Sequence, residues 1–143
     1  MLNRFLAIRA QLERFPASVL QLALRIGIAA MFFRSGLLKI NSWEFTVLLF
    51  RNEYQVPLID PVLAAQLATA LELALPVLLV IGLGTRLATL PLLGMVAVIQ
   101  LFVFPNAWSD HLMWGAILLF LLTRGPGTFS IDYLIDRKAG RSG

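Results

Sequence analysis

Glu72 is the residue in this chain best placed to do chemistry. It stands in AAQLATALELALPVLLV, the sole charged residue between Asp60 and Arg86. If that run crosses a bilayer, Glu72 lies roughly 16 Å from either end at about 1.5 Å rise per residue. A glutamate stem cannot reach water from there, so the group must be neutral or answered by a cation. Three cations occur in QLALRIGIAAMFFRSGLLKI: Arg25, Arg34 and Lys39. At 100° per residue, Arg25, Ala29, Phe32, Gly36 and Lys39 share one helix face, whereas Arg34 points about 180° away from Arg25. By the rise count Arg25 lies nearest Glu72 in depth, within about 5 Å along the axis. The expected arrangement is an Arg25–Glu72 interhelical ion pair inside the bundle. Arg25 then holds an oxygen or an anion and Glu72 relays a proton, since an ionisable group at this depth is a functional candidate by default. A register-fixing ion pair without chemistry is the competing account.

Other polar residues are candidate ligand contacts: Arg34, Lys39, Gln100, His111 and Trp114. Each has a plainer reading. Arg34 and Lys39 can snorkel, with the stem in lipid and the head in water. Gln100 can hydrogen-bond between helices, and His111 beside Asp110 suits an interfacial position. Trp114 joins Phe102, Phe104 and Trp108 either as a headgroup belt or as the wall of a ring-binding pocket. Pro76 removes the helical partner of the Glu72 carbonyl, four residues earlier, and so predicts a kink beside the carboxylate. No metal is expected. With no cysteine and a single histidine, thiolate metal sites, iron–sulfur ligation and a haem held by two histidines of one chain are excluded. No P-loop, dinucleotide fingerprint, HExxH or nucleophile elbow is present.

The elements that must position these residues are membrane helices. Of 143 residues, 59% are apolar and 14% charged, against roughly 45–50% and about 25% in soluble domains; the mean hydropathy is +0.81. Four apolar runs approach the ~20 residues needed to cross a bilayer core: Ser18 to Ile40, Pro61 to Leu83, Leu87 to Phe104 and Trp108 to Thr123. Before them, Leu2, Phe5, Ile8, Leu12 and Phe15 repeat at helical spacing opposite Arg4 and Arg14, as in a short helix lying on an anionic surface. Between the first two runs, NSWEFTVLLFRNEYQVPLID is too polar to cross and suits the headgroup zone. The expected fold is all-α: a membrane-spanning four-helix bundle over residues 17–128, an interfacial amphipathic segment at 1–16 and a cytoplasmic tail at 129–143. Arg4, Arg9, Arg14, Arg86, Arg124, Arg137, Lys138 and Arg141 all fall on one side of such a bundle, which places both termini in the cytoplasm. The cations flank or enter apolar runs rather than forming a basic patch on a soluble domain, which argues against nucleic acid as a partner.

RIGIAAMFFRSGLLKI, ELALPVLLVIGLGTRLATLPLLGMVAVI and GPGTFSID resemble the DoxX family of small membrane proteins. The likeness rests on Arg25, Gly36 and Lys39, on Glu72, on Gly82, Thr85 and Arg86 in the turn, and on Gly125, Pro126, Gly127 and Asp132. It implies a four-helix protein of the bacterial cytoplasmic membrane, with Gly36, Pro76, Gly82, Arg86, Gly125, Pro126 and Gly127 structural. It also implies quinone-linked redox chemistry with a non-covalently held quinone, in a subunit or accessory partner of a membrane oxidoreductase. Without cysteine, any sulfur chemistry rests with that partner. Two other functions are open: a small-anion binder or transporter, which with four spans would need a homo-oligomer, and a scaffold recruiting a soluble redox enzyme.

Overall fold

The computed structural model describes residues 1–140; Arg141, counted among the C-terminal cations, lies outside them. The regular elements among the described residues are all helices, without strands. Helix α1 (Leu2–Glu13) precedes α2 (Ala17–Asn41) and the short α3 (Trp43–Leu49), which runs into a π-turn at Phe50–Tyr54. Helix α4 (Pro61–Ile81) follows, then α5 (Thr85–Val98), prolonged by a second π-turn at Ile99–Val103. Helices α6 (Trp108–Arg124) and α7 (Ile131–Lys138) complete the chain.

Among the described residues, three helices are long and apolar enough to cross a membrane: Ala17–Asn41, Pro61–Ile81 and the continuous Thr85–Val103. Helix α6 has 17 residues. Helices α2, α4, α5 and α6 pack in a closed circuit, α2 on α4, α4 on α5, α5 on α6 and α6 back on α2. Their shared core contains Ile28, Phe32, Leu79, Leu92, Val96, Leu118 and Leu121. Large apolar side chains also cover the outside, among them Ile26, Leu38, Leu67, Val77, Leu90 and Leu119. An exterior of that kind is stable against hydrocarbon rather than water. Every residue of α1 is exposed.

Local chemistry sets the helix ends. Asp60 caps α4 by accepting from the Val62 and Leu63 amides at 3.1 and 3.2 Å, with Pro61 in the first turn where its missing N–H costs nothing. Gly82, at φ +72°, closes α4 in the left-handed conformation. A Cβ there would lie 2.3 Å from the Ser130 Cβ, so the turn also needs glycine for close approach. The helix continues through Pro76, which is fully buried.

Candidate functional site

The face of α2 bearing Arg25, Ala29, Phe32 and Gly36 is buried, and it divides between two polar clusters at different heights. At the end of the bundle nearest the termini, the Arg25 guanidinium is fully buried, at 0% exposure. Its Nε donates to the Leu79 carbonyl at 2.7 Å and its Nη2 to that of Val80 at 2.6 Å. Its Nη1 donates to the carbonyls of Pro126 and Phe129 at 2.9 and 2.8 Å. Leu79 and Val80 lie in the last turn of α4, where carbonyls lack helical partners, so Arg25 caps that helix from the side. One turn earlier Gln21 donates to the carbonyls of Arg124 and Gly125 at the end of α6, at 3.3 and 3.1 Å. Asp132 accepts from the Gly84 and Thr85 amides at 2.7 and 2.9 Å and caps α5. The Gly125-Pro126-Gly127 segment is thereby folded over the ends of α2, α4 and α5, and the Arg86 guanidinium lies against Gly125.

The expected Arg25–Glu72 pair does not form. Glu72, 4% exposed, instead takes Lys39, whose Nζ lies 2.8 Å from Oε2 and 3.1 Å from Oε1. Ser35 completes the cluster: its hydroxyl accepts from Lys39 at 2.9 Å and donates to Glu72 Oε1 at 3.3 Å. The reason is register. The depth count aligns the two spans end to end, but Gly36 packs against Glu72 and Leu73 while Arg25 sits against Leu79 and Val80. This slides α2 along α4 by about one and a half turns relative to that alignment. Gly36 permits the approach, since a Cβ there would stand 2.9 Å from the Leu73 side chain. Snorkelling is therefore not what Lys39 does. Arg34, on the opposite face, is exposed and joins neither cluster.

The Lys39–Glu72 pair forms one wall of a cavity of about 400 Å³. Phe32, Phe50, Tyr54, Ala68, Met95 and Trp114 are among its lining residues, and His111 lines it too. Leu67, Pro91 and Phe104 line the cavity yet are exposed, so it opens onto the apolar exterior between α4 and α5. Both π-turns border it. Aromatic rings of the first turn and of Phe104, just after the second, meet edge to face, with Tyr54 and Phe104 ring centroids 5.6 Å apart and Phe50 and Tyr54 5.0 Å apart. Such turns often mark functional sites in helical proteins. Burial raises the pKa of the Tyr54 phenol, with Glu53 and Glu72 adding to the shift, so the hydroxyl keeps its proton at neutral pH.

His111 is 5% exposed and pairs through Nδ1 with Gln100 Oε1. The Gln100 amide donates from Nε2 to the Pro105 carbonyl at 2.8 Å, which turns its oxygen toward the ring. Nδ1 is therefore the donor, and in the neutral imidazole Nε2 is left as an acceptor. Trp114 packs 5.1 Å from the His111 ring and 6.1 Å from that of Phe32, by centroids.

Of the residues expected to act, the structure brings Glu72, Lys39, His111 and Trp114 to one cavity, with Gln100 behind His111. It leaves Arg25 in a capping role and Arg34 outside. Three participants escape the sequence reading. Ser35 was detectable as the residue one turn before Lys39 on the same face. Gln21 likewise lies one turn before Arg25. Tyr54 enters through the π-turn, for which the local sequence carries no evident signal.

Among curated proteins, an uncharacterised protein of Haemophilus influenzae is 30% identical over 137 residues, spanning 89% of this chain and 90% of its own. No solved structure matches the chain. A sequence model of the DoxX family matches residues 20–105, which carry the Lys39–Glu72 pair and most of the cavity wall. With its apolar helices, this makes the protein an integral, multi-pass membrane protein and a member of the DoxX family.

Proposed function

We propose that this protein is the quinone-interacting subunit of a membrane oxidoreductase and that the cavity binds the ring. The observation carrying this reading is a predominantly apolar chamber with an ion pair in one wall and a histidine in another, opening toward the hydrocarbon. Ligand sites commonly combine such a surface with a few convergent polar groups. Phe32, Phe50, Tyr54 and Trp114 offer faces and edges to a flat ring, and Leu67, Pro91 and Phe104 border the side from which an isoprenoid tail would extend into lipid. A bound quinone supplies two-electron, two-proton chemistry, with electrons from a partner protein. The chain's own residues bind and orient the ring and relay to it the protons that accompany the electrons: Glu72 exchanges one at its carboxylate, and His111 passes one through Nε2. The site favours this over a free small anion, because Lys39 already donates to Glu72 and Ser35. In this reading α6 also crosses the bilayer, giving four spans with both termini in the cytoplasm of a bacterial cell.

Protein purified from membranes in mild detergent is expected to retain quinone detectable by mass spectrometry of the extracted lipids. Ala68→Phe, which fills the cavity, should lower the retained quinone at least tenfold while the protein elutes as before. If wild-type protein carries no quinone and binds no added short-chain quinone, the reading is wrong.

A further inference from the structure

The polar groups of the cavity leave both acceptors and donors open. An ammonium has three N–H groups; those of Lys39 are directed to Ser35 and to both oxygens of Glu72. The Ser35 hydroxyl gives its single proton to Glu72. A carboxylate has about four lone-pair sites, and three contacts reach Glu72. That pole thus has no donor to spare and one acceptor position open. At the other pole Gln100 engages Nδ1 of His111, and Nε2 has no hydrogen-bond partner among the described residues. Two lining residues, Trp114 and Tyr54, each carry a donor, an indole N–H and a hydroxyl.

Resting on the proposed quinone site, we infer that the cavity selects the reduced form, an aromatic ring with two hydroxyl groups. A hydroxyl donates to Glu72 or His111 and still accepts from Trp114 or Tyr54. A quinone carbonyl can only accept, and leaves the Glu72 oxygen and His111 Nε2 unmatched. Leaving a buried polar group without its partner is the costly half of recognition. Gln100 is then a positioning residue: it touches no ligand and fixes which histidine nitrogen the ring meets.

The test is calorimetric titration of the protein in lipid nanodiscs, under anaerobic conditions, with tetramethylhydroquinone and with tetramethylbenzoquinone. The hydroquinone is expected to bind about tenfold tighter, the equivalent of one well-made hydrogen bond. Gln100→Met frees the His111 ring to present either nitrogen and should lower the ratio about threefold, the Glu72 contribution remaining. Gln100→Glu keeps an acceptor for Nδ1–H and should preserve the preference. Equal binding of the two forms by wild-type protein, or an unchanged ratio in folded Gln100→Met, overturns this inference and leaves the quinone site standing. Binding of neither form removes both.

Discussion

Arg25 is a full charge placed where lipid or protein surrounds it, and backbone oxygens rather than a partner carboxylate surround its fork. Four N–H···O contacts join it to α4 and to the segment after α6. Hydrogen bonds from a charged donor each contribute about 1.5–3 kcal/mol net, and the four act through one rigid guanidinium. Arg25→Met should therefore lower stability by at least about 3 kcal/mol, since four carbonyls lose their donor together. Arg25→Lys should restore only part of this, because a point ammonium cannot reproduce the planar fork. Arg34→Ala, at an exposed site, should stay within about 0.5 kcal/mol of wild type. Equilibrium unfolding in mixed micelles measures all three. A mild Arg25→Met beside a damaging Arg34→Ala would mean that the cap has been misread.

The α2–α4 contact decides which cation meets Glu72, and Gly36 holds that contact. Gly36→Ala sets a Cβ 2.9 Å from Cγ and Cδ2 of Leu73 and 3.1 Å from the Glu72 Cβ, so both neighbours must shift, and it should destabilise by about 1 kcal/mol. Gly36→Val adds branches that cannot fit, and should destabilise by about 1–3 kcal/mol while shifting Ser35 and Lys39 away from Glu72. Unfolding midpoints, with quinone retention read in parallel, check this: both variants should lower the midpoint, valine by more, and the valine variant should also lose the quinone. The same contact shows what could be read from the chain alone. The apolar runs give the helices, because length and composition are local properties, whereas the Asp60 cap went unread. The buried face of α2 was legible from its 100° periodicity. The slide of α2 along α4 was not, since it depends on how Gly36 meets Leu73 and how Gln21 and Arg25 reach past α4 to the far end of α6. Consequently Glu72 was identified and its partner was not. The Gln100–His111 contact stayed hidden for a similar reason: the second π-turn and the Pro105 carbonyl turn Gln100 inward, and neither has a periodicity to detect.

Across the whole molecule, the two clusters lie toward opposite ends of one bundle and divide its labour. The Arg25 end is tied by carbonyls, caps and the Gly125-to-Asp132 segment, whereas the Lys39–Glu72 end keeps a chamber open beneath α3 and the two π-turns. This assignment requires the termini and the π-turns to face opposite sides of the membrane, which in turn requires α6 to cross despite its 17 residues. Tilt or local thinning makes that length sufficient at a cost of fractions of a kcal/mol per Å. The chain has no cysteine, so single cysteines report side directly. With a membrane-impermeant maleimide on intact cells, Asn52→Cys and Asn106→Cys should label, whereas Asn3→Cys and Ala139→Cys should label only after permeabilisation. If Asn106→Cys and Ala139→Cys label from the same side, α6 does not cross. The bundle would then have three crossings, and Asn3→Cys and Ala139→Cys would label from opposite sides.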